Sequence, residues 1–179
     1  MLGIYLTEDL NWNLNCQEMI KKAYSRIPLL TKLKYVGMKT EDLLSIYTLF
    51  IRSCLEYCSV VFHSSLTTQQ SEMLERAQRV CLRVLLGEMF IDYKSSLEMC
   101  SLTTLSARHE RRCAVFGLEA LKHPTHKQLF SISKQYYQNT HNIRNPEKYH
   151  VNFAHGTKYK QSGVPYIQRL LNKQEAKQI

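Results

Sequence analysis

The chain has 179 residues and a mass of 21.0 kDa, which suits one domain, or one domain with an appendage, better than two full ones. It is 44% hydrophobic and 22% charged, enough apolar material to bury a core and too much for wholesale disorder. Charge is unevenly spread: residues 1–121 hold 14 Lys+Arg and 13 Asp+Glu, whereas 122–179 hold 10 and 2, with five of the seven His. A near-neutral body followed by a basic tail points toward phosphate-bearing partners; a solvated tail has the same composition. No apolar run reaches the roughly 18 residues of a membrane span, so no membrane partner is expected. Glu8 and Asp9, with no basic cluster before them, speak against a secretory signal. Cys16, Cys54, Cys58, Cys81, Cys100 and Cys113 lack CxxC spacing and sit in apolar surroundings. They read as reduced core thiols of an intracellular protein, nuclear or cytoplasmic.

In chain order, Leu2-Gly3-Ile4-Tyr5-Leu6 predicts a short strand ended by Thr7-Glu8-Asp9. After Trp12, Leu14, Met19, Ile20, Ala23, Tyr24, Ile27, Leu30 and Leu33 recur at helical spacing, with Pro28 expected to kink or divide the helix and Gly37 to end it. A second helix is expected from an N-cap at Thr40 through Leu43, Ile46, Tyr47, Phe50, Ile51, Cys54, Leu55 and Cys58, a wide apolar face. Thr67 with Gln70 forms a capping box for a third helix that ends at Gly87. Its stripe is Met73, Leu74, Ala77, Val80, Cys81, Val84 and Leu85. A short piece from Asp92 to Cys100 precedes a fifth helix over 104–121, stopped by His123-Pro124. Beyond it periodicity is lost until Pro165, which opens a last short helix reaching Leu170-Leu171. The expectation is all-α: a bundle of about five helices with a basic, loosely structured C-terminal tail.

Catalytic chemistry finds little support. The three aspartates, Asp9, Asp42 and Asp92, each sit where a helix start would use them, which speaks against a two-metal site. No His-x-Asp pair, phosphate loop, GxGxxG or GxSxG is present. His123 and His126 have a spacing zinc can use, but no cysteine follows Cys113 and no second pair repeats it. No catalytic residue, metal or cofactor is expected. Cys54 and Cys58, one helical turn apart with His63 beyond, read as core packing.

The basic residues are more informative. Arg76, Arg79 and Arg83 fall within about 60° of one another on the third helix. Glu72 and Glu75, four residues before Arg76 and Arg79, offer local ion pairs as the competing use. Arg108, Arg111 and Arg112 stack like charges along the fifth helix, which calls for an external anion or an acidic residue of another helix; Arg112 borders the apolar face and is expected to be half buried. In the tail, Phe130, Tyr136, Tyr137, Tyr149, Phe153, Tyr159 and Tyr166 interleave with Lys127, Lys134, Arg144, Lys148, Lys158 and Lys160. Cations for phosphate and rings for base stacking suit nucleic-acid binding; aromatics packed back into a core are the alternative.

A longer pattern then emerges. It runs Leu2-Gly3-Ile4, Leu10-Asn11-Trp12, Tyr47, Arg52-Ser53, Leu55-Glu56-Tyr57, Val60-Val61-Phe62-His63, Leu66-Thr67, Leu74-Glu75 and Ala77-Gln78-Arg79. It continues through Tyr93, Leu102, Leu105, Arg108 and Glu110 to Arg144-Asn145, Tyr159, Ser162, Val164-Pro165-Tyr166 and Leu170-Leu171-Asn172. Taken in order, this resembles the C-terminal region of reverse transcriptases from jockey-like and related non-LTR retrotransposons. The resemblance implies that residues 1–12 leave a missing palm, 13–121 form a helical thumb, and 122–179 form a basic post-thumb tail. The family's catalytic aspartates would lie upstream of Met1. Phe62 stands where the family often has Trp, and His109 where a second Arg is common. The N-terminal helices also look like a short helical module at the start of AlkB-type tRNA-modifying enzymes, without their catalytic residues.

The reading is therefore a non-catalytic remnant of an RNA-directed DNA polymerase, lacking the palm. It would bind the backbone of RNA or DNA through Arg83, Arg108, Arg111, Arg112, Lys127, Lys134, Arg144, Lys158 and Lys160. The competing readings are a helical scaffold that meets a protein partner through a face around Phe50, Ile51, Leu55 and Phe62, and the product of a decayed element with no function.

Overall fold

Helices begin where the sequence places apolar residues at three- and four-residue intervals, and the computed structural model, which describes residues 3–130, 148–151 and 156–175, is all-α with no strand among them. Contacts divide the chain into two compact units, Met1–Ser59 with Leu66–His109, and Val60–Ser65 with Glu110–Ile179. The division falls inside the fifth predicted helix rather than at its end, where the thumb was expected to give way to a tail.

In the first unit, α1 (Asn13–Tyr35), α2 (Thr40–Ile46), α3 (Arg52–Glu56) and α5 (Thr68–Leu86) surround one core. α1 contributes Cys16, Met19, Ala23 and Leu30, and α5 contributes Leu74, Ala77, Cys81, Leu82 and Leu85. Residues 3–6 form no strand; the Tyr5 amide instead donates to Asn15 Oδ1 at 3.2 Å. Pro28 does not divide α1. It lies on the exposed side, while Ala23 and Leu30 on either side of it are fully buried, so packing outweighs the lost backbone hydrogen bond. Gly37, at φ 87°, ends the helix, with Met38 N–H on Leu33 O at 3.1 Å and Gly37 N–H on Lys34 O at 3.0 Å.

The second predicted helix is corrected in three ways. Lys39, not Thr40, is the N-cap. The helix passes through a π-helical turn over Tyr47–Ile51, and its continuation α3 stops at Glu56. Leu43, Tyr47, Ile51 and Leu55, all buried, are spaced strictly by four. On an ideal helix each such step overshoots a full turn by about 40°, and the wider π turn absorbs the drift. Cys58, at φ 53°, lies beyond the end of α3, so Cys54 and Cys58 share no helix face and both are only half buried. Thr40–Ser65, 26 residues, is by length and composition apolar enough to cross a membrane, contrary to the reading of the sequence; Glu41 and Asp42 stand at its start, and Arg52 and Glu56 farther in form a 3.5 Å ion pair with each other.

The capping box at Thr67 and Gln70 forms as expected, and α5 ends at Gly87. There Lys34 Nζ donates to the Val84 and Leu85 carbonyls at 2.7 and 3.0 Å, tying the ends of α1 and α5 together. Asp92 caps α6 (Tyr93–Met99) through the Lys94 and Ser95 amides, and the Ser95 hydroxyl, donating at 2.6 Å, together with these amides holds its carboxyl below the usual range. Buried thiols behave as core residues: burial pushes Cys16 up to about 11 and Cys81 up to about 12.

The second unit packs α7 (Leu105–Lys122), from Glu110 onward, against α10 (Gly163–Glu175). It also holds most of α4 (Ser59–Phe62), α8 (Pro124–Lys127) and α9 (Thr157–Lys160). Its core joins Cys113, Ala114 and Ala120 to Phe130, Tyr149, Ile167, Leu170 and Leu171. The Asn172 amide brackets the Tyr149 backbone, accepting from its N–H at 2.9 Å and donating to its C=O at 3.0 Å. Within 122–179, Phe130, Tyr149 and the apolar face of α10 are thus packed, while 122–129 and 156–161 are exposed.

Two outcomes follow from this packing. A Cβ on Gly117 would stand 2.5 Å from Ile167 Cγ2 and 3.4 Å from Leu171 Cδ1. Gly117→Ala should lower stability by about 1–3 kcal/mol in chemical denaturation. His63 sits edge-on to Tyr166 at 5.8 Å, and burial lowers its pKa despite the opposing pull of Glu110. The folded state therefore takes up its proton later than the unfolded chain. Stability should fall as pH drops below about 6.5, and a His63→Gln variant should show a flatter melting temperature between pH 7 and 5.

Candidate functional site

α5 carries a buried polar network alongside its apolar face. The Tyr47 hydroxyl donates to Gln78 Oε1 at 2.7 Å. Gln78 Nε2 donates to Tyr93 Oη at 2.9 Å and to the Thr103 carbonyl at 3.1 Å. Tyr93 donates onward to Glu75, whose other oxygen accepts the Ser106 amide at 2.9 Å near the start of α7. Burial raises both phenols well above their ordinary range, so they remain protonated donors. Glu75 is therefore committed to this network and does not pair with Arg79, as its spacing had suggested.

Arg79 instead reaches Glu72 at 3.4 Å and lies over the Tyr93 ring at 4.9 Å. Arg83 stands exposed over the Phe90 ring at 5.1 Å, a contact that leaves its charge in place. Arg76 is exposed on the same stripe.

The arginine stack on α7 comes apart. Arg108 forms a fork with Glu56, with Nε on one carboxylate oxygen and Nη2 on the other at 3.2 Å. The bond to Glu56 holds the guanidinium pKa above its ordinary value. Glu56 is 2% exposed, and Arg52 approaches it at 3.5 Å. The acidic partner from another helix is thus the one realised for Arg108, whose side chain stays 30% exposed. Arg111 and Arg112 are both exposed, Arg112 contrary to its expected half burial. Glu110 faces Lys173 at 3.9 Å.

Within the second unit, the Glu110–Lys173 pair and the contact of Gly117 with Ile167 and Leu171 make α7 and α10 antiparallel. Arg111 and Arg112 therefore lie toward one end of this helix pair. Lys127 on α8 and Lys158 and Lys160 on α9, all exposed, belong to the segments around the other end. Arg111 to Ala120 is nine residues, roughly 14 Å along the helix. That matches about four steps of a strand whose phosphates advance about 3.4 Å each. Lys134 and Arg144 lie outside the described residues, as do Tyr136, Tyr137 and Phe153. Of the described aromatics, Phe130 and Tyr149 are buried in the unit's core and Tyr159 is half exposed, so core packing claims the first two.

The units differ sharply in charge. Residues 1–59 and 66–109 carry twelve Lys+Arg and eleven Asp+Glu, whereas 60–65 and 110–179 carry twelve and four. The His123 and His126 rings stack at 4.5 Å, which keeps their in-plane lone pairs from converging on one ion, and no cluster of three or more metal-ligating side chains occurs among the described residues. The proposed protein-docking face is also corrected: Ile51, Leu55 and Phe62 are fully buried, leaving Phe50 partly exposed beside Leu49. No family model, curated protein or solved structure matches this chain.

Removing Arg108 would leave Glu56 buried with Arg52 alone. Arg108→Ala should cost about 2–4 kcal/mol of stability, less than a fully buried pair because Arg108 keeps 30% of its side chain exposed. Urea denaturation reads this directly.

Proposed function

We propose that this chain is the thumb and post-thumb portion of a non-LTR retrotransposon reverse transcriptase, a non-catalytic module that binds nucleic acid through its phosphates. The observation that carries the binding is the excess of eight positive charges in residues 60–65 and 110–179, against one in the rest of the chain. The helical fold and the collinear series of residues set out above agree with the family assignment. The cationic groups meant are Arg111, Arg112, Lys127, Lys158 and Lys160, with Arg83 as a separate contact on α5. Arg108 is withdrawn from the list because Glu56 occupies it.

Nothing in this arrangement reads bases. The groups are cations on helix surfaces, and cations of this kind position a backbone without distinguishing sequence. Preference among nucleic acids would come from backbone shape and spacing.

Fluorescence anisotropy on a duplex of about 20 base pairs, titrated from 50 to 200 mM salt, tests the reading. Five neutralised phosphates give a log–log slope near −4.5, since each contributes about 0.9. Arg111→Ala should make the slope shallower by about 0.9, whereas Arg108→Ala should leave it unchanged while lowering stability. A flat salt response, or equal slopes for all three proteins, would refute phosphate binding here.

A further inference from the structure

The second unit contains a feature that phosphate binding does not use. A cavity of about 300 Å³ opens between its helices, lined by Phe116, Ala120, Leu129, Phe130, Val164 and Ile167 among others. Its volume stands at the low end of the range for small-molecule sites, roughly 300–1,000 Å³. Among the described lining residues only His126 has a polar side chain.

That lining defines what can enter. A nucleobase carries ring nitrogens and exocyclic groups that need partners, and a single imidazole would leave most of them unpaired. The cavity therefore excludes a flipped base, and its occupant must have an apolar body. The charge around it defines the other end of the ligand. The segments that supply most of the lining, 116–130 and 157–169, carry Lys122, Lys127, Lys158, Lys160 and Arg169 against Glu119 alone. Glu119 is paired with Lys122 at 2.7 Å. An apolar interior with a basic surround selects a hydrophobic chain ending in an anion.

We propose that this cavity binds a free medium-chain monocarboxylate, its alkyl chain between α7 and α10 and its carboxylate held by the His126 imidazole under the positive field of the neighbouring lysines. The inference does not depend on nucleic-acid binding; either can fail alone.

Isothermal titration of the full chain with hexanoate, octanoate and decanoate reads it. Affinity should tighten about fourfold per added methylene, the equivalent of about 0.8 kcal/mol each, until the cavity is filled. Decanoate should bind at least tenfold more tightly than decanol. His126→Ala, at an exposed residue, should weaken decanoate about tenfold and leave decanol unchanged. Ala120→Trp should fill the space and abolish both; methyl shifts of Val164 and Ile167 on adding decanoate to the unaltered chain give the same information should that variant not fold. Equal binding of decanol and decanoate would overturn the proposal in favour of an uncharged occupant such as a partner's apolar side chain. Absence of heat and of methyl shifts would show the cavity to be a packing void.

Discussion

A carboxylate and an amide buried on one helix hold the first unit together. Glu75 and Gln78 of α5 reach the π turn through Tyr47, α6 through Tyr93, the 103 carbonyl, and the first turn of α7 through Ser106. Apolar contact alone tolerates sliding of one helix on another. A directional network in a low-dielectric interior does not, because any shift leaves a buried donor or acceptor without a partner. The register of α6 and of the start of α7 on α5 is set by these bonds, and with it the height at which Arg108 meets Glu56.

That register decides which arginine of α7 is held against Glu56. Three arginines at i, i+3 and i+4 look equivalent along a helix, yet one closes a bidentate pair with a carboxylate that is almost wholly buried. Burial makes the pair matter: a lone Glu56 in that position would be expensive, so Arg108 is held for structure. Arg111 and Arg112, one turn later, face outward. The boundary between the two compact units falls between His109 and Glu110, so the change from structural to exposed arginine coincides with the change from a balanced to a basic unit.

How much of this was legible in the sequence varies with the range of the interaction. Local signals carried through: the Thr67–Gln70 capping box, the Gly37 and Gly87 stops and the Asp92 cap each depend on residues within five of one another. Signals that needed a partner from elsewhere did not. Pro28 predicts a break by its chemistry, but Ala23 and Leu30 are clamped on either side. Glu75 predicts a pair with Arg79, but Tyr93 and Ser106 arrive from far along the chain. One signal was present and unused. Arg52 and Glu56 stand four apart in an otherwise apolar run, a spacing that marks a buried ion pair and, through it, a sink for a further cation. The strict four-residue spacing of Leu43, Tyr47, Ile51 and Leu55 likewise encoded the π turn.

The second unit shows one sequence property producing opposite effects along one helix. Cys113, Ala114, Gly117 and Ala120 give α7 a face with almost no bulk, and all four are buried. At Gly117 the missing side chain is filled by Ile167 and Leu171, which come within 2.5 and 3.4 Å of where a Cβ would stand. One turn later, at Ala120, small size meets Gly163 and Val164 at the start of α10, and the space is left open. Close packing at the middle of the pair fixes the separation of the two helices, so the gap at the end cannot close by letting them approach. It would take larger side chains at 120 or 163, or a ligand, to fill it. The cavity is thus a geometric consequence of the same small-residue face that brings α10 in, and its place among lysine-bearing segments follows from the unit's charge.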